Sequence, residues 1–335
     1  EFLTESLFDD VDPDAMLETD VLVFDVMNQQ MLERFNTTHG VDLIERISGQ
    51  GLVFAVGEGL LPREQYVEQG AVWNDRARAF WANWGLANQL GLMKQALSAA
   101  GVADLTVPDP QPSLEAGYYY PDGDTGRVFA TWAAFDDWRR AAGKLRPGAS
   151  RVAVGFYKSN YYAGDTALLD AVIAEVERHG AEAIPVFGYP AGLAFEGLLL
   201  DADGQARADV ALAFVFRFAG PEAAASLQKV NIPVISLVSL YGRSEAEWRD
   251  SAEGLSMFEG TFQVAVPELS GLVAPTVVGS QERVKDPGTG LTIVSRQPIA
   301  SRVTMVVRRA LRYAALRAIP NPDKRVAVLF YNYPP

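Results

Sequence analysis

Residues 151–157 read Arg-Val-Ala-Val-Gly-Phe-Tyr, and residues 325–331 read Arg-Val-Ala-Val-Leu-Phe-Tyr. In each copy a charged residue precedes a short run of β-branched and aromatic residues. This pattern is typical of a strand that is buried on both faces of a parallel sheet. In an open α/β sheet the loop after such a strand lines the ligand crevice. The sequence therefore predicts a parallel strand at each copy, with candidate ligand-binding residues directly after it.

The two copies have different continuations. The first runs on into a polar loop and a helical pattern, whereas only Asn-Tyr-Pro-Pro at 332–335 comes after the second. The second predicted strand therefore has no crossover helix of its own. The sequence begins with Glu-Phe-Leu-Thr-Glu-Ser, which is neither a signal peptide nor a natural start. We expect the chain to be an internal segment of a longer protein.

Strand and helix patterns alternate around the first copy. This alternation predicts an α/β fold with doubly wound, mostly parallel sheets of the Rossmann-like or flavodoxin-like kind. Two earlier strand patterns predict a second, partial lobe, and further helices lie between the lobes in the sequence. The predicted strands cover 20–26, 51–56, 152–157, 183–187, 210–216 and 232–238, and the predicted helices of the second lobe cover 166–178 and 222–229.

A connector separates the two lobes in the sequence. Three prolines within residues 107–113 exclude a helix or a central strand there. We predict five segments along the chain. They are a partial α/β domain with helices (1–105), a Pro-rich connector with a helix (106–150), a doubly wound α/β domain (151–290), a long helix (291–319) and the first strand of a further, truncated domain (320–335).

Two helical patterns carry distinctive faces. Over residues 73–101, apolar side chains recur every three or four positions, and we interpret this stripe as a core face. The long helix near 301–317 instead carries an arginine face. A solvated surface is the favoured interpretation of that face, and docking of a partner or an anionic ligand is the alternative. The stripe consists of Trp81, Trp84, Ala87, Leu90, Met93 and Leu97, and the arginines are Arg302, Arg308, Arg309, Arg312 and Arg317.

The composition excludes several classes of function. The chain has 335 residues, of which 49% are hydrophobic, and it carries 29 basic and 42 acidic residues for a formal charge of −13. This charge argues against a nucleic-acid surface and a polybasic membrane patch. The absence of cysteine excludes disulfides, thiolate metal sites and cysteine nucleophiles. No apolar run approaches the roughly 20 residues that span a bilayer. We expect a cytoplasmic protein.

Standard catalytic motifs are missing from the sequence. It contains no Walker A loop, no Gly-x-Gly-x-x-Gly after a strand and no Gly-x-Ser-x-Gly. Its two histidines, His39 and His179, are not in a metal-binding spacing. If ATP is used, a partner subunit binds it. The sequence itself identifies neither catalytic residues nor metal ligands.

The loop after the first repeated strand is the best candidate site. It combines hydroxyl, amide and aromatic side chains at the carboxyl end of a predicted parallel strand. The equivalent position after the second copy carries a tyrosine and an asparagine. The candidate ligand-binding residues are Tyr157, Ser159, Asn160 and Tyr161 in the first loop, and Tyr331 and Asn332 in the second.

Five short elements occur in an order that resembles a known family, the large subunit of cobaltochelatase and the porphyrin-binding H subunit of magnesium chelatase. The chain departs from the family pattern at Asn160, where histidine is common, and at Ser270, where aspartate is usual. The elements are residues 155–166 (GFYKSNYYAGDT), 227–234 (LQKVNIPV), the pairs Glu247-Trp248 and Gly254-Leu255, residues 263–271 (QVAVPELSG) and 324–335 (KRVAVLFYNYPP).

The resemblance implies a tetrapyrrole-binding subunit of an ATP-dependent metal chelatase. It further implies a cobalt or magnesium ion as the substrate metal, and AAA-type ATPase and adaptor subunits that bind ATP. Cobalt insertion into a corrin precursor in cobalamin biosynthesis is our first choice, and the candidate residues above would then contact the tetrapyrrole. We expect the metal-handling residues to lie beyond Pro335 and this segment alone to be inactive.

Besides a tetrapyrrole protein of this family that works in another direction, such as metal removal from haem, three alternatives remain open from the sequence. The first is a magnesium chelatase H subunit acting on protoporphyrin IX. The second, which ignores the resemblance, is a two-lobed α/β protein that binds a small molecule without catalysis. The third is a scaffold that only docks partner ATPases through the arginine-bearing helix. Glu268 is the one carboxylate that we single out within the family elements, and a surface or capping role is the favoured interpretation.

Overall fold

The computed structural model describes residues 17–18, 20–24, 33–34, 37, 43–48, 51–56, 63–68, 70–102, 104–123, 126–214, 221–285 and 292–328. The chain divides into two compact units. One comprises residues 1–113 with 162–164, and the other comprises residues 114–161 with 165–335. The finer division into five segments stays a prediction.

The first unit contains a three-stranded parallel sheet in the order β1-β2-β3. Two of its strands lie within the segments predicted from the sequence, 20–26 and 51–56. Its described elements are β1 (Val21–Phe24), α1 (Leu43–Ser48), β2 (Leu52–Ala55), α2 (Arg63–Glu68), β3 (Val72–Trp73), α3 (Asp75–Asn83) and α4 (Leu86–Ala99).

The predicted core stripe over residues 73–101 is wrong. The segment forms two helices, because the chain turns at Trp84 and Gly85, whose φ angles are 53° and 85°. After this turn α4 buries Leu92 and Ala96 in the core beneath the sheet, whereas Leu90 is 53% exposed. Ala87, Met93 and Leu97 are exposed as well. Apolar residues lie on both faces of α4, so periodicity alone could not select the buried one.

The second unit is built on an eight-stranded sheet in the order β11-β10-β9-β8-β6-β7-β4-β5. The five strands from β10 to β7 run parallel, and antiparallel strands flank them on both sides. The prediction of a mostly parallel, doubly wound sheet is confirmed. Its strands are β4 (Gly117–Tyr120), β5 (Arg127–Phe129), β6 (Arg151–Phe156), β7 (Glu182–Phe187), β8 (Val210–Ala213), β9 (Val234–Ser239), β10 (Val273–Lys285) and β11 (Thr292–Pro298).

Helices cover this sheet. Nearly every residue of β6 to β9 is buried, which requires cover on both faces. The helices are α5 (Trp132–Ala141), α6 (Lys158–Tyr162), α7 (Ala167–Arg178), α8 (Ala191–Leu199), α9 (Pro221–Val230), α10 (Glu245–Asp250), α11 (Met257–Glu259), a π-helix (Gly260–Ala265), α12 (Val266–Leu269), α13 (Ala300–Ala318) and a 3₁₀ turn (Asn321–Asp323).

Two helix pairs pack closely on the sheet. Helix α7 packs against α13, and α8 packs against α9. In the second pair, a Cβ atom on Gly192 would lie 2.8 Å from Ala223 Cα, so only glycine permits this approach. The long predicted helix near 301–317 is confirmed as α13.

The second copy of the repeated phrase does not form its predicted strand in the described part of the chain. Residues 325–328 have no regular structure, and Val326 is 82% exposed. No strand of the described residues pairs with them, so the run has no ladder to join. Residues 329–335 lie outside the described residues. None of the helices in the described ranges has the length and apolar character needed to span a bilayer.

Candidate functional site

A cavity of about 210 Å³ opens at the carboxyl ends of β6, β8 and β9. From β6 the chain proceeds to β7 on one side and then returns past β6 to β8 on the other. Open α/β sheets bind ligands at such a switch point. The cavity is lined by Phe156, Tyr157, Ser159, Asn160, Asp165, Leu168, Leu169, Phe214, Ser239, Leu240, Tyr241, Phe258, Gln263, Gln281 and Arg296.

Three of the predicted ligand residues line this cavity. Tyr157 directly follows β6, and Ser159 and Asn160 lie in the first turn of α6. Tyr161 is not a lining residue. Its ring packs beside Tyr119 with the ring centroids 5.5 Å apart, and burial raises the pKa of its hydroxyl.

A ligand role for these four residues stays a prediction. The candidates of the second loop, Tyr331 and Asn332, lie outside the described residues.

An arginine held by polar side chains lies at the rim of the cavity. Arg296 Nη1 donates to Asp165 Oδ2 at 2.5 Å, and the Arg296 backbone N–H donates to Asp165 Oδ1 at 2.9 Å. With its amide oxygen towards the guanidinium, Asn160 accepts from Arg296 Nη1 at 2.6 Å and donates to the Tyr157 carbonyl at 3.2 Å. Arg296 Nε and Nη2 bond to no described residue. A fixed guanidinium with open donors suits a carboxylate ligand.

The wall formed by β9 carries a second group of polar side chains. Gln263, in the π-helix, donates to the Ser239 carbonyl at 2.8 Å and accepts from the Ser239 backbone N–H at 2.9 Å. The Ser239 hydroxyl is buried and has no hydrogen-bond partner among the described residues. Because buried polar groups are normally paired, this hydroxyl is a candidate ligand contact. Gln281 accepts from the Gly242 N–H at 2.7 Å and fixes the loop after β9.

Three aromatic rings form an array at the cavity mouth. The Tyr241 and Phe258 centroids are 5.3 Å apart, and those of Phe258 and Phe262 are 4.9 Å apart. Tyr241 is 66% exposed, and both phenylalanines are more than 40% exposed. Exposed aromatic groups beside a pocket are typical of a surface that stacks on a flat ligand.

A buried carboxylate positions this aromatic array. Glu259 is fully buried, and it accepts from Arg243 Nη2 at 2.5 Å and from the backbone N–H groups of Tyr241 and Ser256, each at 2.7 Å. Burial acts to raise the pKa of Glu259, but these donors outweigh it and the pKa lies below its ordinary value. Glu259 therefore ties the loop after β9 to the helix that carries Phe258.

Sequence reasoning missed the residues that come from distant parts of the chain. Arg296, Tyr241 and Phe258 reach the cavity only because β11, β9 and the helical segment after β9 converge on it. One signal was available, since Tyr241 follows a predicted parallel strand just as Tyr157 does. Nothing in the sequence alone pairs Arg296 with Asp165.

The described residues contain no group of three or more His, Asp or Glu side chains that could hold a metal ion. His179 lies at the end of α7, with Nε2 3.2 Å from Glu175 Oε1, and His39 is outside the described residues. Glu268 is exposed on α12 and does not line the cavity.

Comparison with known proteins identifies the family. The CobN/Magnesium Chelatase family model matches residues 78–335. The chain belongs to this family. It is 30% identical over 251 residues to the magnesium-chelatase subunit ChlH of Oryza sativa subsp. indica, covering 70% of this chain and 17% of that protein. It is 29% identical over 272 residues to the aerobic cobaltochelatase subunit CobN of a Sinorhizobium species, covering 78% of this chain and 21% of that protein.

A solved structure has a similar fold. The catalytic subunit of cobaltochelatase from Mycobacterium tuberculosis superposes with a TM-score of 0.62 at 19% identity. The alignment covers 96% of this chain and 26% of that subunit. This member of the CobN/magnesium chelatase family therefore spans about a sixth to a quarter of the length of these relatives. The family includes metal chelatase subunits named for cobalt and for magnesium.

Proposed function

We propose that the chain forms part of the tetrapyrrole-binding large subunit of an ATP-dependent metal chelatase, and that the cavity at β6, β8 and β9 contacts the tetrapyrrole. The family match over residues 78–335 carries this proposal. Cobalt insertion into a corrin precursor is our first choice. Magnesium insertion into protoporphyrin IX is the alternative, since relatives of both kinds are similar to this chain.

The dimensions of the cavity indicate which part of the ring it holds. Pockets that enclose drug-sized ligands have volumes of roughly 300–1,000 Å³. The cavity here, at about 210 Å³, is smaller. We propose that one edge of the macrocycle enters it, with a ring carboxylate at Arg296 and a polar substituent at the Ser239 hydroxyl. The flat face of the ring then lies over Tyr241 and Phe258, where stacking contributes about 0.5–1.5 kcal/mol per aromatic pair beyond the buried area.

The chain's proposed part in metal insertion is to hold and orient the ring. Insertion requires that the cation lose water, that two pyrrole nitrogens lose protons and that the ring be distorted. The described residues offer donors for ring substituents rather than a cluster of metal ligands. We assign metal handling to other parts of the full-length subunit, and ATP binding to partner AAA-type ATPase and adaptor subunits. A cytoplasmic location stays a prediction.

Titration with candidate rings tests this function. Hydrogenobyrinic acid diamide and protoporphyrin IX are added to this chain and to the full-length protein, and binding is followed by absorbance and by protein fluorescence. We expect saturable binding of one ring, with the Arg296→Gln dissociation constant raised about tenfold, since one charge-assisted hydrogen bond is worth about 1.5–3 kcal/mol.

Arg249→Gln is the matched control, because this arginine is exposed and paired with Glu245 away from the cavity. Its affinity is expected to match that of the wild type. Binding of neither ring, or equal affinity in the wild type and Arg296→Gln, would overturn the proposal.

A further inference from the structure

A positively charged groove runs along one face of α13. The groove has a volume of about 340 Å³ and is lined by Ser301, Thr304, Met305, Arg308, Arg309 and Arg312. Counted from Ser301, these positions fall at i, i+3, i+4, i+7, i+8 and i+11, so they share one helix face. The opposite face, which includes Val303, Val307 and Ala310, is buried in the core. The groove therefore lies on the outer surface of a helix whose inner face packs against the sheet.

Two of its arginines have no partner among the described residues. Arg308 and Arg312 are exposed, and neither makes an ion pair or hydrogen bond with a residue in the part of the chain that the structure describes. Arg309 Nη1 donates to Thr276 Oγ1 at 2.9 Å, which fixes its guanidinium beside the other two. The chain as a whole carries a formal charge of −13. Positive charge without a counter-charge on one face of an acidic chain favours the binding of a negatively charged partner.

The negative charge of an acidic side chain beside the groove is already offset by an arginine. Glu175, on the neighbouring helix α7, is bonded to Arg178 Nη2 at 2.6 Å. The hydrogen bond from Arg178 is the main cause that lowers the pKa of Glu175 to about 2, with a further contribution from Thr304. The groove therefore keeps its positive charge.

The length of the groove distinguishes between kinds of anion. Ser301 and Arg312 are eleven positions apart, which at about 1.5 Å per residue gives a length of about 16 Å. This is far longer than a single phosphate, and it matches about five residues of extended chain at about 3.3 Å each. Guanidinium groups bind carboxylates bidentately. We propose that the α13 groove docks an extended aspartate- and glutamate-rich segment of a partner protein.

Peptide binding tests this docking surface. A fluorescein-labelled hexaglutamate peptide is titrated with the full chain, and anisotropy is measured at low and moderate salt. The affinity is expected to fall with added salt. In Arg308→Gln/Arg312→Gln, the dissociation constant is expected to rise at least tenfold.

The matched control is Arg140→Gln/Lys229→Gln, which removes the same charge from two exposed basic residues outside α13 that pair with Asp136 and Glu196. The control is expected to change the affinity less than twofold. Both double variants should keep the circular dichroism of the wild type, because all four side chains are on the surface.

Four results would overturn the proposal. They are the absence of saturable binding, equal weakening in the two double variants, displacement of the peptide by inorganic phosphate as effectively as by unlabelled hexaglutamate, and a dimer in sedimentation that only Arg308→Gln/Arg312→Gln dissociates. The third result would indicate a site for single anions, and the fourth a second copy of this chain. Ring titration of the same variants is expected to be unchanged, since the groove shares no residue with the cavity.

Discussion

At the scale of single residues, the Glu259–Arg243 ion pair holds the loop after β9 next to the cavity. Glu259 is fully buried and Arg243 is largely buried. Removing one partner of a buried ion pair leaves the other without compensation, which costs about 3–5 kcal/mol. We expect Glu259→Gln to lower the free energy of unfolding by about 3 kcal/mol, measured by urea denaturation. In the control Glu245→Gln, which removes an exposed pair, the loss should stay below about 1 kcal/mol. Equal losses would contradict the burial of this pair.

The same carboxylate gives a pH dependence with a defined sign. The folded-state pKa values of Glu259 and Glu175 lie below the ordinary value of 4.5. Their contribution to stability is therefore present above the ordinary pKa of 4.5 and is lost as the pH falls through each folded-state pKa. Burial raises the pKa of Asp170, so this residue affects the pH dependence of stability in the opposite sense. We therefore compare the wild type with a variant of Glu259. The stability difference between the wild type and Glu259→Gln should narrow between pH 6 and pH 3 in urea titrations. A constant difference would refute this role of the charge.

Two glycines allow a packing test with an internal control. A Cβ atom on Gly155, in β6, would lie 2.4 Å from Phe195 Cζ, and Phe195 is buried. We expect Gly155→Ala to destabilise the chain by about 1–3 kcal/mol in thermal or urea unfolding. Gly197→Ala, on α8, meets no atom within 4 Å and should be neutral or stabilising, because alanine favours helix by about 1 kcal/mol. A larger loss for Gly197→Ala would contradict the packing described for β6 and α8.

At the residue level, the sequence indicated positions beside the cavity only where the signal was local. Tyr157, Ser159 and Asn160 reach the cavity because they directly follow a strand whose burial the sequence pattern shows. Arg296 is more than a hundred positions further along, and its place depends on the pairing of β11 with β10. No local pattern encodes that pairing.

At the scale of elements, the break between α3 and α4 decides which face of α4 is buried. Positive φ angles at Trp84 and Gly85 reorient the second helix, so that Leu92 is 1% exposed and Leu90 is on the surface. We expect Leu92→Ala to lower the unfolding free energy by about 2–5 kcal/mol in urea titrations. The matched change Leu90→Ala should cost no more than about 0.5 kcal/mol. The reverse order of the two losses would support the core stripe predicted from the sequence.

The π-helix is an element that no pattern in the sequence predicted. Its extra residue per turn places Gln263 against the end of β9 and Phe262 in the aromatic array. Such bulges are frequent at functional sites. The segment that contains it resembles a family element, yet the resemblance alone gave no geometry. Hydrogen bonds from Ser236 Oγ to the Gln263 carbonyl at 3.0 Å and within the Gln263–Ser239 pair hold it on the sheet.

At the scale of the whole molecule, the sequence predicted the central strands of the large sheet but not the strands at its edges. Strands β6 to β9 are nearly continuous apolar runs, and their alternation with helices defines a parallel, doubly wound order. The flanking strands β4, β5 and β11 carry mixed patterns and join by antiparallel pairing, which has no comparable sequence signature. The strand predicted at the second copy of the repeat is not formed for a related reason, since its described residues have no neighbouring strand.

Entry of the tetrapyrrole edge into the cavity at the switch point can be measured by thiol protection. The chain contains no cysteine, so Ser159→Cys introduces a unique thiol at an exposed lining position. Ala202→Cys, in an exposed turn, is the control. The rate of maleimide labelling of each thiol is measured with and without a saturating ring. We expect at least a tenfold slowing for Ser159→Cys and no change for Ala202→Cys. Unchanged labelling of Ser159→Cys while the ring is bound would place the ring elsewhere and contradict the proposed site.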